Sequence, residues 1–252
     1  MSFQSTENHP QFFKTLFVFV TLSITKIFAK IFYRIQEIWT TPYPPDWDQI
    51  KCIGVLNHTS LFEPLLVGIY PFRQLWRAAK HMVAPAADIT MNRKFVGLFF
   101  SLLGQHVIPI SRKRDHSWNK FLDKISPESL VVILPEGRMM RNDGRDKNGK
   151  MMDIRPGIAD ILIKMTSGHF MIMTSGGLHH VQRPGQLVPR IFKTIQIVAE
   201  IHNISELTDQ ISLRMTTETK AGEMNFKKTL LEFLESRKKY HLELMKKAKT
   251  NN

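Results

Sequence analysis

The sequence is poor in cysteine, since its 252 residues include only Cys52. A single thiol cannot form an internal disulfide, so nothing in the chain calls for an oxidising compartment. No internal repeat period appears, which argues against a solenoid or a propeller. The sequence also lacks a long uncharged run near its start. The stretch from Thr15 to Thr25 is uncharged, but it is well short of the roughly 20 apolar residues that one membrane span needs.

Acidic residues are scarce relative to basic ones. The chain has 22 Asp and Glu against 35 Lys and Arg, which gives a formal net charge of +13. Hydrophobic residues make up 43% and charged residues 23%, a globular composition that excludes a disordered or fibrous chain. The length suits one large α/β domain or two small ones. The surplus of positive charge predicts a polyanionic partner: nucleic acid, an anionic membrane surface, or an acidic substrate or carrier.

The N-terminal segment from Gln11 to Ile38 favours the membrane. It is apolar and aromatic, and Lys26, Lys30 and Arg34 recur at every fourth residue, which would place them on one stripe of a helix. We therefore predict a helix that lies in the membrane interface or dips into one leaflet, with these cations beside anionic headgroups. A core helix of the domain and a cleaved signal peptide are the alternatives, although no small-residue cleavage site follows the apolar run.

After a proline-rich linker, Thr40 to Asp48, short apolar runs alternate with helical patterns. This alternation predicts an α/β domain with a mixed, largely parallel sheet flanked by helices, preceded by the membrane-associating helical segment. We divide the chain into an N-terminal helix and linker (residues 1–48), the α/β domain (49–220) and a basic helix packed on that domain by one apolar side (221–252). The predicted strands cover residues 52–56, 75–79, 106–110, 130–134, 169–173 and 191–201, and the predicted helices cover 63–70, 93–103, 116–124, 157–166 and 221–247.

A histidine and a carboxylate follow the first predicted strand. His58 and Glu63 are five residues apart, so they would point in different directions on one continuous helix. They can meet if His58 precedes a helix that Thr59 or Ser60 caps and that has Pro64 in its first turn. The carboxylate would then hold one imidazole nitrogen and leave the other able to take a proton from a hydroxyl. By itself, such a pair is more often structural than catalytic.

Further segments occur in an order that points to one family. Asn57–Glu63 resembles the first sequence block of the PlsC-like glycerolipid acyltransferases, the 1-acylglycerol-3-phosphate acyltransferase family. Gly104–Arg112 resembles the second block, which ends in an arginine, and Leu134–Arg138 resembles the third, a Pro-Glu-Gly turn after a buried strand. Ile154–Ala159 is similar to the basic-x-Gly-x-Ala segment of that family, and His169–Ser175 falls at the place of its fourth block. The resemblance spans about half of the chain.

The resemblance implies direct acyl transfer from a thioester to a hydroxyl. His58 would act as the general base on the acceptor hydroxyl. Glu63, which stands where this family usually has aspartate, would orient His58 and stabilise the imidazolium. Arg112 would bind the phosphate of the acceptor. The residues for which the resemblance implies substrate binding are Asn57, Ser60, Arg112, Glu136, Gly137, Arg138 and Arg155.

The predicted function is therefore that of a membrane-associated O-acyltransferase that converts lysophosphatidate to phosphatidate. Acyl-CoA or acyl carrier protein would be the co-substrate. We predict no other cofactor and no metal, because the adjacent His179 and His180 have poor metal-ligand spacing. The predicted partners are a membrane lipid surface, the lysophospholipid and the acyl donor, without nucleic acid, and the predicted location is the cytoplasmic face of a membrane, as a monotopic or peripheral protein. The alternatives are acylation of another lysophospholipid or lipid alcohol, or a catalytically inactive membrane-binding homologue.

Overall fold

A single sheet forms the centre of the computed structural model, which describes residues 8–87, 97, 102–103, 106–111, 116–141, 143–146, 148–183, 186, 188–216 and 223–250. Its strands are β1 (Arg34–Trp39), β2 (Ile50–Leu56), β3 (Met82–Ala87), β4 (Val107–Ile110), β5 (Leu130–Ile133), β6 (His169–Gly176) and β7 (Thr194–Asn203). Within the described residues the strand order is β1-β7-β6-β2-β5-β3-β4. Neighbouring strands pair in parallel except β6 and β7, which are antiparallel. The predicted mixed, largely parallel sheet is confirmed.

Helices cover both faces of this sheet. They are α1 (Asn8–Phe32), the 3₁₀ helix η1 (Glu63–Ile69), α2 (Phe72–His81), α3 (His116–Asp123), α4 (Gly157–Lys164), α5 (Leu178–Val181), α6 (Ile204–Thr216) and α7 (Glu223–Thr250). The first core, on one face, contains side chains of α1, η1, α2 and α5, and the second core, on the other face, contains side chains of α3, α4, α6 and α7. Strands covered on both faces are apolar along their length, which explains the continuous buried run in β6.

The strand β3 changes its partner halfway along its length. Met82 and Val83 pair with Leu130 and Val131 of β5, whereas residues 84–87 pair with β4. The pairing between β3 and β5 therefore ends at Val83, and the sheet separates there on the way to its carboxyl edge. This separation leaves space between β4 and β5.

The helix α1 lies along the domain by one face and exposes the opposite face. Val18, Leu22 and Ala29 are buried in the first core. In the middle of the helix, Phe19 packs its ring edge-on against Trp76 of α2, with centroids 5.2 Å apart. The outward face is apolar, and its exposed side chains are Phe12, Phe13, Leu16, Phe17, Val20, Ile24, Ile27 and Ile31.

The predicted charged stripe on this segment is wrong in two respects. The helix ends at Phe32, and Arg34 is the first residue of β1, which pairs with β7. Lys26 points inward, and its ammonium donates to the carbonyl oxygens of Gly68 at 3.0 Å and Tyr70 at 2.6 Å. Carbonyls at the end of a helix lack partners within it. Lys26 satisfies two of them and thereby docks α1 on η1.

One stretch of α1, Pro10–Phe32, is long and apolar enough to cross a membrane, and it is the single such stretch among the described residues. Its mean hydropathy is 1.8. Length and composition are weak evidence by themselves, because core helices of soluble proteins share them. Only 22% of the residues in its most apolar window are buried, so the stretch differs from a core helix in the large apolar surface that it exposes.

Several predicted elements need correction. The strand predicted at residues 75–79 is wrong, because these residues lie in α2, where the buried positions 74, 75, 78 and 79 follow the spacing of one helix face. A short apolar run does not distinguish a buried strand from a helix. The elements β1, β3, α5 and α6 were not predicted. The helix predicted at 93–103 lies mostly outside the described residues, and the remaining predicted elements are confirmed within a few residues.

Candidate active site

Two of the predicted site segments meet at the carboxyl edge of the sheet. β2 ends at Leu56 and is followed by His58, while its parallel neighbour β5 ends at Ile133 and is followed by Glu136. Neighbouring parallel strands end at the same edge, and α/β proteins bind ligands there. Residues almost 80 positions apart in the chain are thus brought side by side by the sheet topology.

The His58 and Glu63 side chains are in contact. His58 Nδ1 lies 2.9 Å from Glu63 Oε1, and only 16% and 8% of the two side chains are exposed. Because a carboxylate only accepts hydrogen bonds, Nδ1 carries the proton in the neutral imidazole and Nε2 carries the lone pair. The pair therefore holds the imidazole in one tautomer and one orientation.

Glu63 also closes the turn that brings it to His58. The predicted cap is wrong, since the residue before η1 is Phe62 and no side chain caps this helix. Instead, Glu63 Oε1 accepts hydrogen bonds from the backbone N–H groups of Thr59 and Ser60, both at 3.2 Å. The carboxylate thus satisfies two backbone N–H groups of the turn that precedes η1.

Glu136 binds the backbone N–H groups of the two residues before Thr59. Its carboxylate accepts hydrogen bonds from the N–H of Asn57 at 3.0 Å and from the N–H of His58 at 2.8 Å. The Glu136 side chain is fully buried, and Nζ of Lys238 in α7 lies 2.5 Å from its Oε1. A buried carboxylate without a cation is strongly unfavourable. Lys238 compensates this charge, so the C-terminal helix takes part in building the site.

Asn57 and Ser60 hold the turn. Asn57 has a left-handed backbone with φ of 66°, which asparagine tolerates better than most residues, and its Nδ2 donates to the Ser175 carbonyl at 2.6 Å. Ser60 is fully buried; its Oγ donates to Gln182 Oε1 at 3.4 Å and accepts from the Phe62 N–H at 3.2 Å. Neither Asn57 nor Ser60 lines the cavity described next, and their predicted contact with substrate stays a prediction.

A cavity of about 490 Å³ adjoins His58 and Glu63 and extends into the space where β3 leaves β5. Its wall comes from both cores, because the sheet is open at this point. Much of the wall is apolar, as is usual for a site that binds an organic ligand. Apolar side chains in the wall include Leu22, Met82, Ala84, Ala86, Leu103, Val107, Val132, Leu134 and Met173.

Two of the predicted cations line this cavity. Arg138 pairs with the buried carboxylate of Asp146. Burial alone would raise the pKa of Asp146, but hydrogen bonds from the backbone N–H groups of Lys150 and Asn148 and from Arg138 hold it below its usual value. Arg155 also lines the cavity and is about half exposed. A guanidinium and a mostly buried ion pair thus lie beside the histidine.

The structure brings most of the predicted site residues to one place. Gly137 lines the cavity with φ of 64°, a left-handed conformation that glycine adopts without strain. Arg112, the predicted phosphate ligand, lies outside the described residues. The predicted residues in the cavity wall are His58, Glu63, Glu136, Gly137, Arg138 and Arg155.

Lys238 is a part of this site that the sequence pattern did not reveal. The basic helix looked solvated on all but one apolar side. A signal was nevertheless present, because Lys238 falls on that apolar side at the helical spacing, and a lysine there needs a buried carboxylate. The buried positions of α7 are Phe226, Leu230, Leu234, Lys238, His241 and Met245.

The His179 and His180 rings lie next to each other, with centroids 3.9 Å apart. Among the residues that the structure describes, no group of three or more His, Cys, Asp and Glu side chains could hold a metal ion. The absence of a metal from the reaction stays a prediction.

Comparisons with known proteins bear on the family and the fold of the chain. The chain matches a protein-family model described as Acyltransferase over residues 33–180. Its fold is similar to the crystal structure of the 1-acyl-sn-glycerophosphate (LPA) acyltransferase PlsC from Thermotoga maritima, with a TM-score of 0.53 over 89% of this chain and 79% of that chain. The sequences are 17% identical, so this likeness shows a shared fold. Because the family model covers more than half of the chain and includes His58, Glu63 and Glu136, the chain belongs to the acyltransferase family.

Proposed function

We propose that the chain transfers a fatty acyl group from a thioester donor to the free hydroxyl of lysophosphatidate, giving phosphatidate. The observation that carries the proposal is the contact between His58 and Glu63 in the wall of a largely apolar cavity. Membership of the acyltransferase family supports acyl transfer. The fold shared with a 1-acyl-sn-glycerophosphate acyltransferase supports the choice of acceptor.

In this proposal His58 is the general base. Its Nε2 takes the proton of the acceptor hydroxyl while the hydroxyl oxygen attacks the thioester carbonyl carbon, and Glu63 stabilises the imidazolium that forms. The tetrahedral intermediate then collapses. The carbon–sulfur bond breaks, and the leaving thiolate takes the proton from Nε2. The products are an ester and a free thiol, so every bond and proton is accounted for without a covalent enzyme intermediate. The co-substrate is acyl-CoA or acyl carrier protein.

Glu136 and Lys238 act as positioning residues. Glu136 holds the backbone N–H of His58, and Lys238 neutralises Glu136. Neither needs to touch the reacting atoms. Their effect on the rate comes from keeping the imidazole within hydrogen-bond reach of the acceptor hydroxyl, since small displacements of a general base reduce its contribution strongly.

The cavity suits the two substrates in different ways. Its apolar wall between β4 and β5 would take the acyl chain of the donor. The phosphate of the acceptor would contact Arg155, Arg138 and Arg112, because guanidinium groups bind phosphate oxygens through paired donors. Arg138 can serve both Asp146 and a phosphate, since its guanidinium has five N–H donors.

We also place the chain at a membrane surface, as a monotopic or peripheral protein on the cytoplasmic side, where acyl-CoA and acyl carrier protein occur. α1 packs on η1 and α2 by one face and exposes apolar side chains on the other. A helix docked in this way is not surrounded by lipid. It can lie in the interface with its outer face among the acyl chains, which would bring a lipid acceptor close to the cavity.

Acyl transfer to lysophosphatidate by the purified chain tests the proposal. Acyl-CoA and acyl carrier protein thioesters would be offered with a panel of lysolipids, and the products identified by mass spectrometry. We expect phosphatidate as the main product, and a loss of kcat of about 10²–10⁴-fold in His58→Ala, the range found when a general base is removed. Glu63→Gln should also lower kcat, because the amide does not stabilise the imidazolium.

His81→Ala is the matched control, since this histidine ends α2 and lies outside the site. It should retain wild-type activity. No transfer to any lysolipid by the wild type, or full activity in His58→Ala, would show that the proposed mechanism is wrong. Transfer only to another lysolipid would change the acceptor and leave the mechanism intact.

A further inference from the structure

A surface segment near the C-terminal end of α1 exposes large apolar side chains. Within residues 188–193, Val188 is 77% exposed, Phe192 is 72% exposed and Ile191 is 42% exposed. Isolated apolar side chains are normal on protein surfaces. Three within five residues form a patch, and exposed apolar patches mark surfaces that bind a partner.

The backbone holds Phe192 in its exposed position. Its φ is 58°, a left-handed conformation that is unfavourable for a bulky side chain and persists only where the surroundings enforce it. The Phe192 N–H donates to the Phe32 carbonyl at 2.7 Å, and the Arg34 N–H donates to the Lys193 carbonyl at 3.2 Å. These bonds tie the segment to the junction between α1 and β1, so the presentation of the ring is built into the fold.

The segment continues the apolar face of α1. The ring centroid of Phe192 lies 6.1 Å from that of Phe32, the last residue of the helix. The preceding residue, Ile31, is 63% exposed and ends the apolar face of α1. Exposed apolar surface therefore runs from the helix onto residues 188–193.

Exposed cations lie within this segment and near the neighbouring His180. Arg183, Arg190 and Lys193 come from the same part of the chain, and Lys249 comes from the end of α7. Desolvation and then the charges of Lys249, Arg183, Lys193 and Arg190 lower the pKa of His180, as expected for cations near that ring. Within the described part of the chain, none of the four has a carboxylate partner in an ion pair.

Apolar and aromatic side chains flanked by unpaired cations are typical of segments that enter the headgroup layer of an anionic membrane. We propose that residues 188–193 form a second membrane contact beside α1, in which Val188, Ile191 and Phe192 enter the headgroup layer and the surrounding cations bind anionic headgroups. The inference rests on the membrane association in the proposed function. It adds a lipid preference, for anionic over zwitterionic surfaces, to that association.

A fluorescent label at position 192 tests the contact in the full chain. Cys52 is fully buried, and burial raises the pKa of its thiol, so it will not compete with an introduced cysteine for the label. An environment-sensitive dye on Phe192→Cys should shift its emission to the blue on phosphatidylcholine–phosphatidylglycerol vesicles and be quenched by lipid-borne quenchers. The same dye on Met224→Cys, a position 82% exposed in α7, should not respond.

The cations are tested by Arg190→Gln combined with Lys193→Gln. Each basic residue near an anionic surface changes partitioning about fivefold, so the double variant should bind phosphatidylglycerol-containing vesicles roughly 25-fold more weakly and phosphatidylcholine vesicles unchanged. Lys124→Gln with Lys228→Gln is the charge-matched control, because Lys124 directly follows α3 and Lys228 lies near the start of α7, beside side chains of the second core, and it should bind as the wild type does.

The outcomes separate this inference from the proposed function. A chain that sediments with vesicles while the dye at 192 stays in water would overturn the second contact and leave α1 as the anchor. A dye at 192 that responds to acyl carrier protein and not to lipid would assign the patch to that carrier. Failure to bind any vesicle would overturn both the contact and the membrane association, while transfer to lysophosphatidate dispersed in detergent would still report the acyltransferase activity.

Discussion

At the scale of single residues, two buried carboxylates determine where His58 lies. Glu136 accepts the backbone N–H groups of Asn57 and His58, and Glu63 accepts those of Thr59 and Ser60. Glu136, outside the turn, and Glu63, at its end, thus accept hydrogen bonds from four consecutive backbone N–H groups. A base carried by such a turn loses little orientational freedom during the reaction, which is the condition for efficient proton transfer.

Lys238→Met tests the support behind this turn. Removing the cation leaves the carboxylate of Glu136 buried without compensation, and breaking one partner of a buried ion pair costs about 3–5 kcal/mol. We expect a loss of this size in the free energy of unfolding, measured by urea titration. We also expect a reduced kcat at saturating donor, with KM changed less.

Lys239→Met is the neighbouring control, because Lys239 is exposed and such surface changes alter stability by about 0.5 kcal/mol or less. Lys238→Arg should recover part of the activity, since it restores a cation beside Glu136. If Lys238→Met kept wild-type kcat while losing stability, Lys238 would be structural only.

The contact between His58 and Glu63 could be predicted from the local sequence, because both residues belong to one turn. The role of Asn57 was harder to predict, since its side-chain partner is the Ser175 carbonyl, more than a hundred residues away. Lys238 could not be paired with Glu136 from the sequence, because α7 contains many lysines and only tertiary packing selects one of them.

At the scale of elements, the change of partner by β3 creates the cavity. Ala84 and Ala86 line it, and their small side chains leave the space open. This strand could not be predicted from the sequence, because residues 82–87 contain a proline and three alanines, which are depleted in strands. The pairings with β5 and then β4 override this local preference.

Ala86→Phe should narrow the cavity and change the choice of acyl donor. If the acyl chain occupies the space between β4 and β5, we expect kcat/KM for long-chain thioesters to fall about tenfold or more relative to short-chain ones, because the added ring removes volume that the chain needs. Ala86→Ser, which keeps the volume, should retain the wild-type chain-length profile. A folded Ala86→Phe variant with an unchanged profile would place the acyl chain elsewhere.

Other elements show why local patterns were insufficient. β1 was predicted as the end of the N-terminal helix because its charges continue the helical spacing. In the structure, its backbone pairs with β7, which lies about 160 residues further along the chain. α1 itself could be predicted from its apolar composition and the spacing of its charges, since neither depends on a distant partner.

At the scale of the whole molecule, α7 is fastened to the sheet by polar contacts as well as by its apolar side. Glu200 of β7 accepts a hydrogen bond from Arg237 Nε at 2.8 Å and lies 3.3 Å from His241 Nε2. Burial alone would raise the pKa of Glu200, but its hydrogen bonds with His202, His241 and Arg237 hold it far below its usual value.

Acid should therefore weaken the attachment of α7. Below the ordinary glutamate pKa of about 4.3, the unfolded chain binds a proton at Glu200 that the native chain does not. The contribution of Glu200 to the free energy of unfolding is thus fully present above about pH 4.5, and it is lost as the pH falls towards the pKa of Glu200 in the native state. We expect the free energy of unfolding, from urea titrations at successive pH values, to fall less steeply in Glu200→Gln below this pH. Glu232→Gln, an exposed control, should keep the wild-type slope, and an identical slope in Glu200→Gln would contradict the assignment.

The net charge of +13 is divided between the interior and the surface. Lys26 and Lys238 make internal contacts, and Arg138 and Arg237 pair with buried carboxylates. The sequence alone could not separate these cations from solvated ones, because the distinction depends on which face of each element is covered. Arg183, Arg190, Lys193 and Lys249, in and near residues 188–193, have no such internal partner among the described residues, and their charges are exposed to solvent.

The contact between Lys238 and Glu136 also orders the events of biosynthesis. Chains emerge from the ribosome N-terminus first, so the turn that carries His58 and the Glu136 segment are exposed about a hundred residues before Lys238. Before α7 docks, Lys238 cannot reach Glu136, so burial of this carboxylate would be strongly unfavourable. The turn that carries His58 therefore acquires its full set of contacts only after α7 has been synthesised and has packed on the sheet.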